Sequence, residues 1–310
     1  MTRYRHIDGW RYPDGVRLAV NFTLDFDAQL FRRVLGEPAL ELAQGEFGGR
    51  TGIWRLLELF HRHQIGLTIF TPGRIAELYP ASLREATRCG FEIANHMWEH
   101  RVPAEPDLEW DHLRKTTRAL EAISGRRPVG TRSHHRRSSL VRDGYLYTSS
   151  GAADEIPYYV TDGDATVLNL PFHYALDDAM YFHFGWVASE NAGQRLADCD
   201  AVHDIFLAHF ERLYADARYM NICVHDFVSG RAMRVRMLDR LIAEMKRRPG
   251  VWFPTCETVA RYCLEGAARD MAAGLLNQPS RRCHTADRVG RLPCRTRTRR
   301  SYNQRRTDVL

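Results

Sequence analysis

From Arg17 to Leu264, short apolar runs of strand character alternate with stretches whose apolar residues recur at helical spacing, and that rhythm leaves few folds open. Strands are predicted over 17–24, 65–70, 91–94, 128–132, 145–149, 166–170, 219–224 and 251–253. Between the first two, Ile53, Leu56, Leu57 and Phe60 follow the i, i+3, i+4, i+7 pattern of one helix face. A short helix ends at Gly90. A longer one, capped by Asp107, turns Leu113, Leu120 and Ile123 inward and stops at Gly125. Further helices are expected over 200–215, 232–247 and 256–264. Residues 31–52, with Gly45, Gly48, Gly49 and Gly52 and no clean period, read as a loop. Alternating units of this kind argue for an α/β chain with a parallel sheet, open or closed into a (β/α) barrel. Neither an internal repeat nor a linker interrupts the pattern, so one domain is expected over 1–265, followed by a tail over 266–310.

Polar residues gather at the ends of these strands. Asp25 and Asp27 close the first, separated by Phe26, and strand alternation would point both carboxylates the same way. The other reading is that the chain has already turned and both acids are solvated. Asn95-His96-Met97-Trp98-Glu99-His100 follows the third strand, and two histidines four apart can close on one metal ion, or merely sit on a solvated turn. Arg132 ends the fourth strand and His225 the seventh. The C-terminal ends of the strands are where a (β/α) barrel builds its active site.

One Asp and two His form a three-ligand set that leaves a divalent metal an open position, a chemistry suited to hydrolysis. Asp27, His96 and His100 are assigned to the metal and Asp25 to the general base, although the residues alone leave the reverse assignment of the two acids open. His225 is the candidate general acid, and Arg132 orients the catalytic carboxylate through a charge-assisted pair.

Composition removes other classes. No apolar run is long enough to span a bilayer, and Met1-Thr2-Arg3-Tyr4-Arg5-His6 lacks the apolar core of a secretory signal, so a cytoplasmic enzyme is expected. The seven cysteines are scattered without a CxxC pair, which fits reduced thiols. The net charge of +6 is a property of the tail: residues 281–310 hold ten Arg and two acids, which leaves −2 for the first 280 residues. Such a tail reads as a disordered appendage; without interleaved aromatics or a folded module it makes nucleic acid an unfavoured partner.

The order Asp-x-Asp after a strand, His-x-x-x-His some seventy residues on, Gly-x-Arg, and His-x-x-x-x-Gly-Arg near the C-terminus resembles the NodB-type polysaccharide deacetylases of carbohydrate esterase family 4. It is most similar to their cytoplasmic branch, which includes peptidoglycan-deacetylase-like proteins and metal-independent bacterial allantoinases. Supporting stretches include PDGVRLAVNFTLDFDAQ, GEFGGRTGIWRLLELFHRHQI, LNLPFHYALDDAMYF, VHDFVSGRAMRVRMLDRLI and GVWFPTCETVARY. The resemblance implies a distorted (β/α) barrel, a zinc-like ion (cobalt, nickel or manganese being alternatives) on Asp27, His96 and His100, Asp25 as base and His225 as acid. It further implies a small-molecule or oligosaccharide substrate and a homo-oligomer. Asp154 falls in an acidic turn of that branch with no assigned role, and Trp54, Trp98 and Tyr158 are candidate pocket aromatics.

Three departures stand out. Ser133-His134-His135 follows Arg132 where the family has a Pro, an aromatic and then a helix, so a missing helix and competition by His134 or His135 for the metal are expected. Asp226 replaces a Pro and is expected to hold the His225 ring. The Arg-rich tail has no counterpart. Removal of an acyl group from an amino sugar or small amine is the favoured activity; ring opening of a cyclic ureide, or ligand binding without catalysis, are the alternatives.

Overall fold

The strand starting at Leu18 sets the architecture, because all eight residues of Leu18–Asp25 are buried. A strand covered on both faces carries no clean apolar/polar alternation in accessibility, yet its two faces differ in chemistry. Leu18, Val20, Phe22 and Leu24 join the main apolar core, whereas Asn21, Thr23 and Asp25 occupy the opposite face. Their polar groups pair internally: Asn21 Nδ2 donates to Pro254 O at 2.6 Å, Thr23 Oγ1 to Asn221 Oδ1 at 3.0 Å, and Asn221 Nδ2 to Ser149 Oγ at 3.1 Å. This buried polar column leads along the strand to Asp25.

The computed structural model describes residues 1–7, 9–36, 39–182 and 197–272. Ten strands form one sheet: β1 (Arg3–His6), β2 (Leu18–Asp25), β3 (Leu67–Thr71), β4 (Glu92–Asn95), β5 (Gly130–Thr131), β6 (Tyr147–Thr148), β7 (Tyr158–Asp162), β8 (Ala165–Asn169), β9 (Tyr219–His225) and β10 (Val251–Trp252). The parallel ladder runs β9-β2-β3-β4-β5-β6-β8. β10 pairs with the start of β2, and β7 and β1 add an antiparallel edge beyond β8. The sheet is not closed, but an isolated parallel bridge between Asp177 and Cys223 brings the chain leaving β8 against β9. This is the mixed α/β fold expected for a distorted barrel.

Helices pack outside. Ile53–His63 buries Ile53, Leu56, Leu57, Leu59 and Phe60, as its spacing requires. Four readings change. Residues 31–52 are not a loop: they hold helices Leu30–Val34 and Ala39–Phe47 and a π-helical turn, Gly48–Gly52. The glycines there permit close approach, since a Cβ on Gly49 would lie 2.4 Å from the Tyr79 ring and one on Gly52 2.0 Å from the Asp226 carbonyl. The helix Pro106–Ser124 starts at Pro106 with Glu105 as cap residue, so Asp107 lies in its first turn and is not its cap. A short helix, Arg137–Arg142, does follow Arg132. The strand expected over 166–170 is the second arm of a β7–β8 hairpin that turns at Gly163 (φ +58°), and its first arm, Tyr158–Asp162, is an addition to the expected strands.

Met1–Ala268 forms one compact unit. Beyond Ala272 the expected tail lies outside the described residues. No helix among the described residues is long and apolar enough to cross a membrane.

Candidate active site

Register brings the strand-end residues together. Asp25 pairs with His225 across β2 and β9 and with Phe70 across β2 and β3, so an acid and an imidazole from opposite ends of the sequence become neighbours. β4 is followed by a pinned turn: Asn95 Oδ1 accepts the Met97 N–H at 2.8 Å, and Met97 and His100 sit at φ +70° and +57°. Non-glycine residues in the left-handed region cost about 1–3 kcal/mol each and concentrate where a site demands them. Here they turn both imidazoles toward Asp27. His96 Nε2 lies 3.6 Å from Asp27 Oδ1 and 3.7 Å from Asp25 Oδ2; His100 Nε2 lies 3.4 Å from Asp27 Oδ2. The solvated reading of the two acids is therefore excluded, both being buried.

Arg132 is the hub beneath them. Its five N–H donors have five partners: Nε gives to Ser149 O (3.0 Å), Nη1 to Asp25 Oδ1 (2.7 Å) and Cys223 Sγ (3.0 Å), and Nη2 to Thr23 Oγ1 (3.0 Å) and Ser149 Oγ (3.2 Å). Phe70 and Phe172 cover its two faces with centroids 4.3 Å away. Burial works against this guanidinium, but the Asp25 charge outweighs it and Arg132 stays cationic.

His225 is held from a direction the sequence did not disclose. Asp178 Oδ1 lies 2.7 Å from His225 Nδ1, while Asp178 Oδ2 accepts the His225 N–H (2.9 Å) and the Ser229 hydroxyl (2.5 Å). Burial opposes the imidazolium, yet Asp178, Asp177 and Asp25 together hold it well above the ordinary histidine value. Burial, with the Asp178 charge, pushes Asp177 up to about 6 against the pull of His225. Asp226 does not hold the ring. Its Oδ1 accepts the backbone N–H groups of Asp27 and Ala28 at 3.2 and 3.3 Å, bracing the loop that carries Asp27. Asp177 and Asp178 were visible as paired acids in LNLPFHYALDDAMYF, but only the bridge to β9 reveals what they face.

Among the described residues, three groups of donor atoms lie within 4.8 Å of one another and could hold a metal ion: Asp27/His96/His100, Asp25/Cys223/His225 and Asp177/Asp178/His225. The last two are already occupied. Arg132 binds Asp25 and Cys223, burial pushes the Cys223 thiol well up, and both Asp178 oxygens are taken. In the first group Asp27 Oδ1 and His96 Nε2 are buried without a hydrogen-bond partner. His96 Nδ1 is engaged by the Arg132 carbonyl at 2.5 Å, which leaves Nε2 free to coordinate. Burial keeps His96 below its ordinary basicity. Burial alone would raise Asp27, but His100 and His96 hold it below the usual carboxylate range. Tetrahedral zinc with bonds of about 2.1 Å spaces its ligands roughly 3.4 Å apart, close to the distances here.

A cavity of about 450 Å³ opens over this site. Its aromatic lining comes from Phe31, Phe172, Tyr174 and Phe227, while Trp54, Trp98 and Tyr158 do not line it. His134 is exposed on its wall; His135 is buried against Glu109 (Nδ1–Oε1 3.3 Å), so it does not join the donor group. Asp154 lies elsewhere, paired with His6 at 2.5 Å.

The polysaccharide deacetylase family model matches residues 45–138. A Helicobacter pylori peptidoglycan deacetylase is 24% identical over 262 residues, spanning 71% of this chain and 86% of that protein. A Schizosaccharomyces pombe protein assigned as a polysaccharide deacetylase is 26% identical over 247 residues, 70% of this chain and 73% of its own. Among solved structures, a Mycobacterium smegmatis protein assigned as a polysaccharide deacetylase superposes with a TM-score of 0.76 at 28% identity, covering 83% of this chain and 94% of that one. The allantoinase PuuE shares the fold, with a TM-score of 0.69 at 23% identity over 81% of this chain and 91% of its own. The architecture, the polysaccharide deacetylase model over residues 45–138 and the sequence and structural relatives agree: the chain resembles the NodB-type polysaccharide deacetylases, and these matches point to a hydrolase of carbon–nitrogen bonds other than peptide bonds.

Proposed function

We propose that the protein is a metal-dependent N-deacetylase acting on an amino sugar, an oligosaccharide or a small N-acyl amine. The observation that carries this reading is the buried pair of partnerless atoms, Asp27 Oδ1 and His96 Nε2, that face one another at 3.6 Å beside His100. Uncompensated polar atoms in a dry site are costly, and a divalent cation is the simplest partner for all three side chains. Asp27, His96 and His100 would hold the ion, zinc by donor type, with cobalt, nickel or manganese as alternatives. When bound, the ion supplies Lewis-acid polarisation of the acyl carbonyl and acidifies water.

The remaining chemistry falls to the chain. Asp25, aimed by Arg132, takes the proton of the attacking water through its Oδ2, since Oδ1 is committed to the guanidinium. His225, with Nδ1 engaged by Asp178, presents Nε2 to the cavity and protonates the leaving nitrogen. Phe31, Phe172, Tyr174 and Phe227 give the acyl group an apolar wall. Retention of His96 and His100 disfavours the cyclic-ureide reading. A cytoplasmic location and a homo-oligomeric state belong to the proposal as carried from sequence.

The test is the metal content of the purified chain by plasma mass spectrometry beside a His96→Ala, His100→Ala double variant, with acetate release from N-acetylated sugars measured on both. Near one equivalent of metal and acetate release in the wild type alone is the expected result. No bound metal after supplementation would sink the mechanism.

A further inference from the structure

A second cavity, of about 690 Å³, lies where two helices begin and shares no lining residue with the catalytic one. The starts of Cys199–Ala215 and of Ala232–Met245 face each other across it. Arg231, Arg234, Arg236 and Arg240 line it against Asp198 and Asp200, so its lining among the described residues carries two more positive than negative charges. Both acids are committed. Asp198 caps the first helix, accepting the N–H groups of Asp200 and Ala201 at 2.8 and 3.0 Å, and Asp200 pairs with Arg240.

Arg231, Arg234 and Arg236 form no ion pair with a carboxylate among the described residues. The Arg231 guanidinium lies 3.6 Å from the centroid of the Phe47 ring, a ring it shares with Arg55. Arg234 donates to Val228 O at 2.9 Å and covers Phe182; the Asp178 charge it feels is engaged by His225 and Ser229. Arg236 is exposed. A helix start already carries partial positive charge on its first N–H groups, and the first turn of Ala232–Met245 holds no acid to offset it. Burial and the charges of Arg55 and Arg32 hold Arg231 below its ordinary basicity; burial and Arg231 do the same to Arg234 against the pull of Asp178. Like charges gathered at such a place are unfavourable until an anion lies between them. Guanidinium forks beside helix N–H groups are the donors that a phosphate group takes.

We propose that this cavity binds a phosphate group, free or carried on a small ester, and that Arg231, Arg234 and Arg236 hold it at the start of Ala232–Met245. The site stands apart from the deacetylase reading and does not rest on it. Met233 and Met237 give the cavity an apolar floor, and its volume leaves room for the organic part of an ester. Arg231 follows the short helix Asp226–Ser229 by one residue, and Arg234 holds the Val228 carbonyl of that helix. A bound phosphate therefore braces, from behind, the turn that leaves His225.

The test measures binding of inorganic phosphate and of glucose 6-phosphate to the full chain by calorimetry and by thermal midpoint, with ionic strength held constant by potassium chloride. Phosphate also has affinity for metal ions, so the His96→Ala, His100→Ala variant is measured beside the wild type. Both proteins should bind, and a probe at about ten times its Kd should raise the midpoint by about 3–6 °C. Arg231→Gln and Arg236→Gln should each weaken binding about tenfold or more, the range of one charge-assisted contact. Arg236→Gln, at an exposed position, decides the matter where Arg231→Gln fails to fold. Arg84→Gln, exposed on another helix, should leave binding unchanged. Tighter binding of glucose 6-phosphate supports the site as one for an ester, and equal binding supports it as one for the free anion. No binding of either probe, binding that the arginine variants of the cavity retain, an equal loss in Arg84→Gln, or binding that the double histidine variant abolishes overturns the proposal.

Discussion

Asp178→Asn isolates the charge that tunes His225. The substitution keeps the side-chain volume and one acceptor oxygen but removes the carboxylate, 2.7 Å from Nδ1, that stabilises the imidazolium in a fully buried setting. A hydrogen bond to a charged group contributes about 1.5–3 kcal/mol, and one pKa unit corresponds to about 1.4 kcal/mol, so the His225 pKa should fall by about 1–2 units. Asp177, 3.7 Å away, retains part of the effect. The alkaline limb of kcat/KM for acetate release, which reports loss of the protonated acid, should move down by the same about 1–2 units. Stability carries a matching signature. A histidine whose folded pKa is raised contributes stability that is fully present below its unfolded value, 6.5, and is lost as pH rises through the folded value. The wild type should therefore exceed Asp178→Asn in thermal midpoint most at pH values below 6.5, and the gap should narrow in alkali. An unmoved alkaline limb with kcat preserved would refute either the donor role of His225 or the claim that Asp178 sets its charge.

Other substitutions test other links. Arg132→Met leaves Asp25 buried and unpaired, which should cost about 3–5 kcal/mol in urea unfolding and abolish acetate release; a variant of normal stability would contradict the hub assignment. Asp226→Ala removes the acceptor bracing Asp27 and Ala28 and should weaken zinc affinity about 10–100-fold in competition with a chelating dye, whereas Asp226→Asn, which keeps an acceptor, should lose much less. Gly130→Ala places a Cβ 1.9 Å from the buried Tyr147 ring; overpacking of about 1–3 kcal/mol should lower the thermal midpoint by about 2–12 °C, and an unchanged melting curve would show that this strand contact yields easily.

Much of the molecule was legible because its signals are local. Ile53, Leu56, Leu57 and Phe60 announce a helix face by spacing alone, and they are buried as that spacing demands. The chain segments of β2, β3, β4 and β9 read as apolar strands because parallel strands are covered on both faces. Legibility failed where a residue's purpose lies across space. Gly48, Gly49 and Gly52 looked like loop formers, yet their missing side chains make room for Asp226 and Tyr79. The β1 strand carried no readable pattern, since an exposed edge selects few apolar residues.

The candidate site divides the same way. Asp25, Asp27, His96, His100, Arg132 and His225 could be singled out because polar side chains at strand ends are conspicuous against apolar runs, and the order of their types carries the resemblance. Their partners could not. Sequence adjacency suggested that Asp226 holds His225, but a residue following a strand end points away from the side chain before it. Asp226 reaches the backbone of Asp27, and Asp178, forty-seven residues away from His225, supplies the carboxylate instead. The linear chain determined which elements form and which residue types stand at their ends, because those follow from periodicity and local propensity. Register, and the bridge between Asp177 and Cys223, decided which acid meets which imidazole, because distances between strand ends exist only once the sheet has formed.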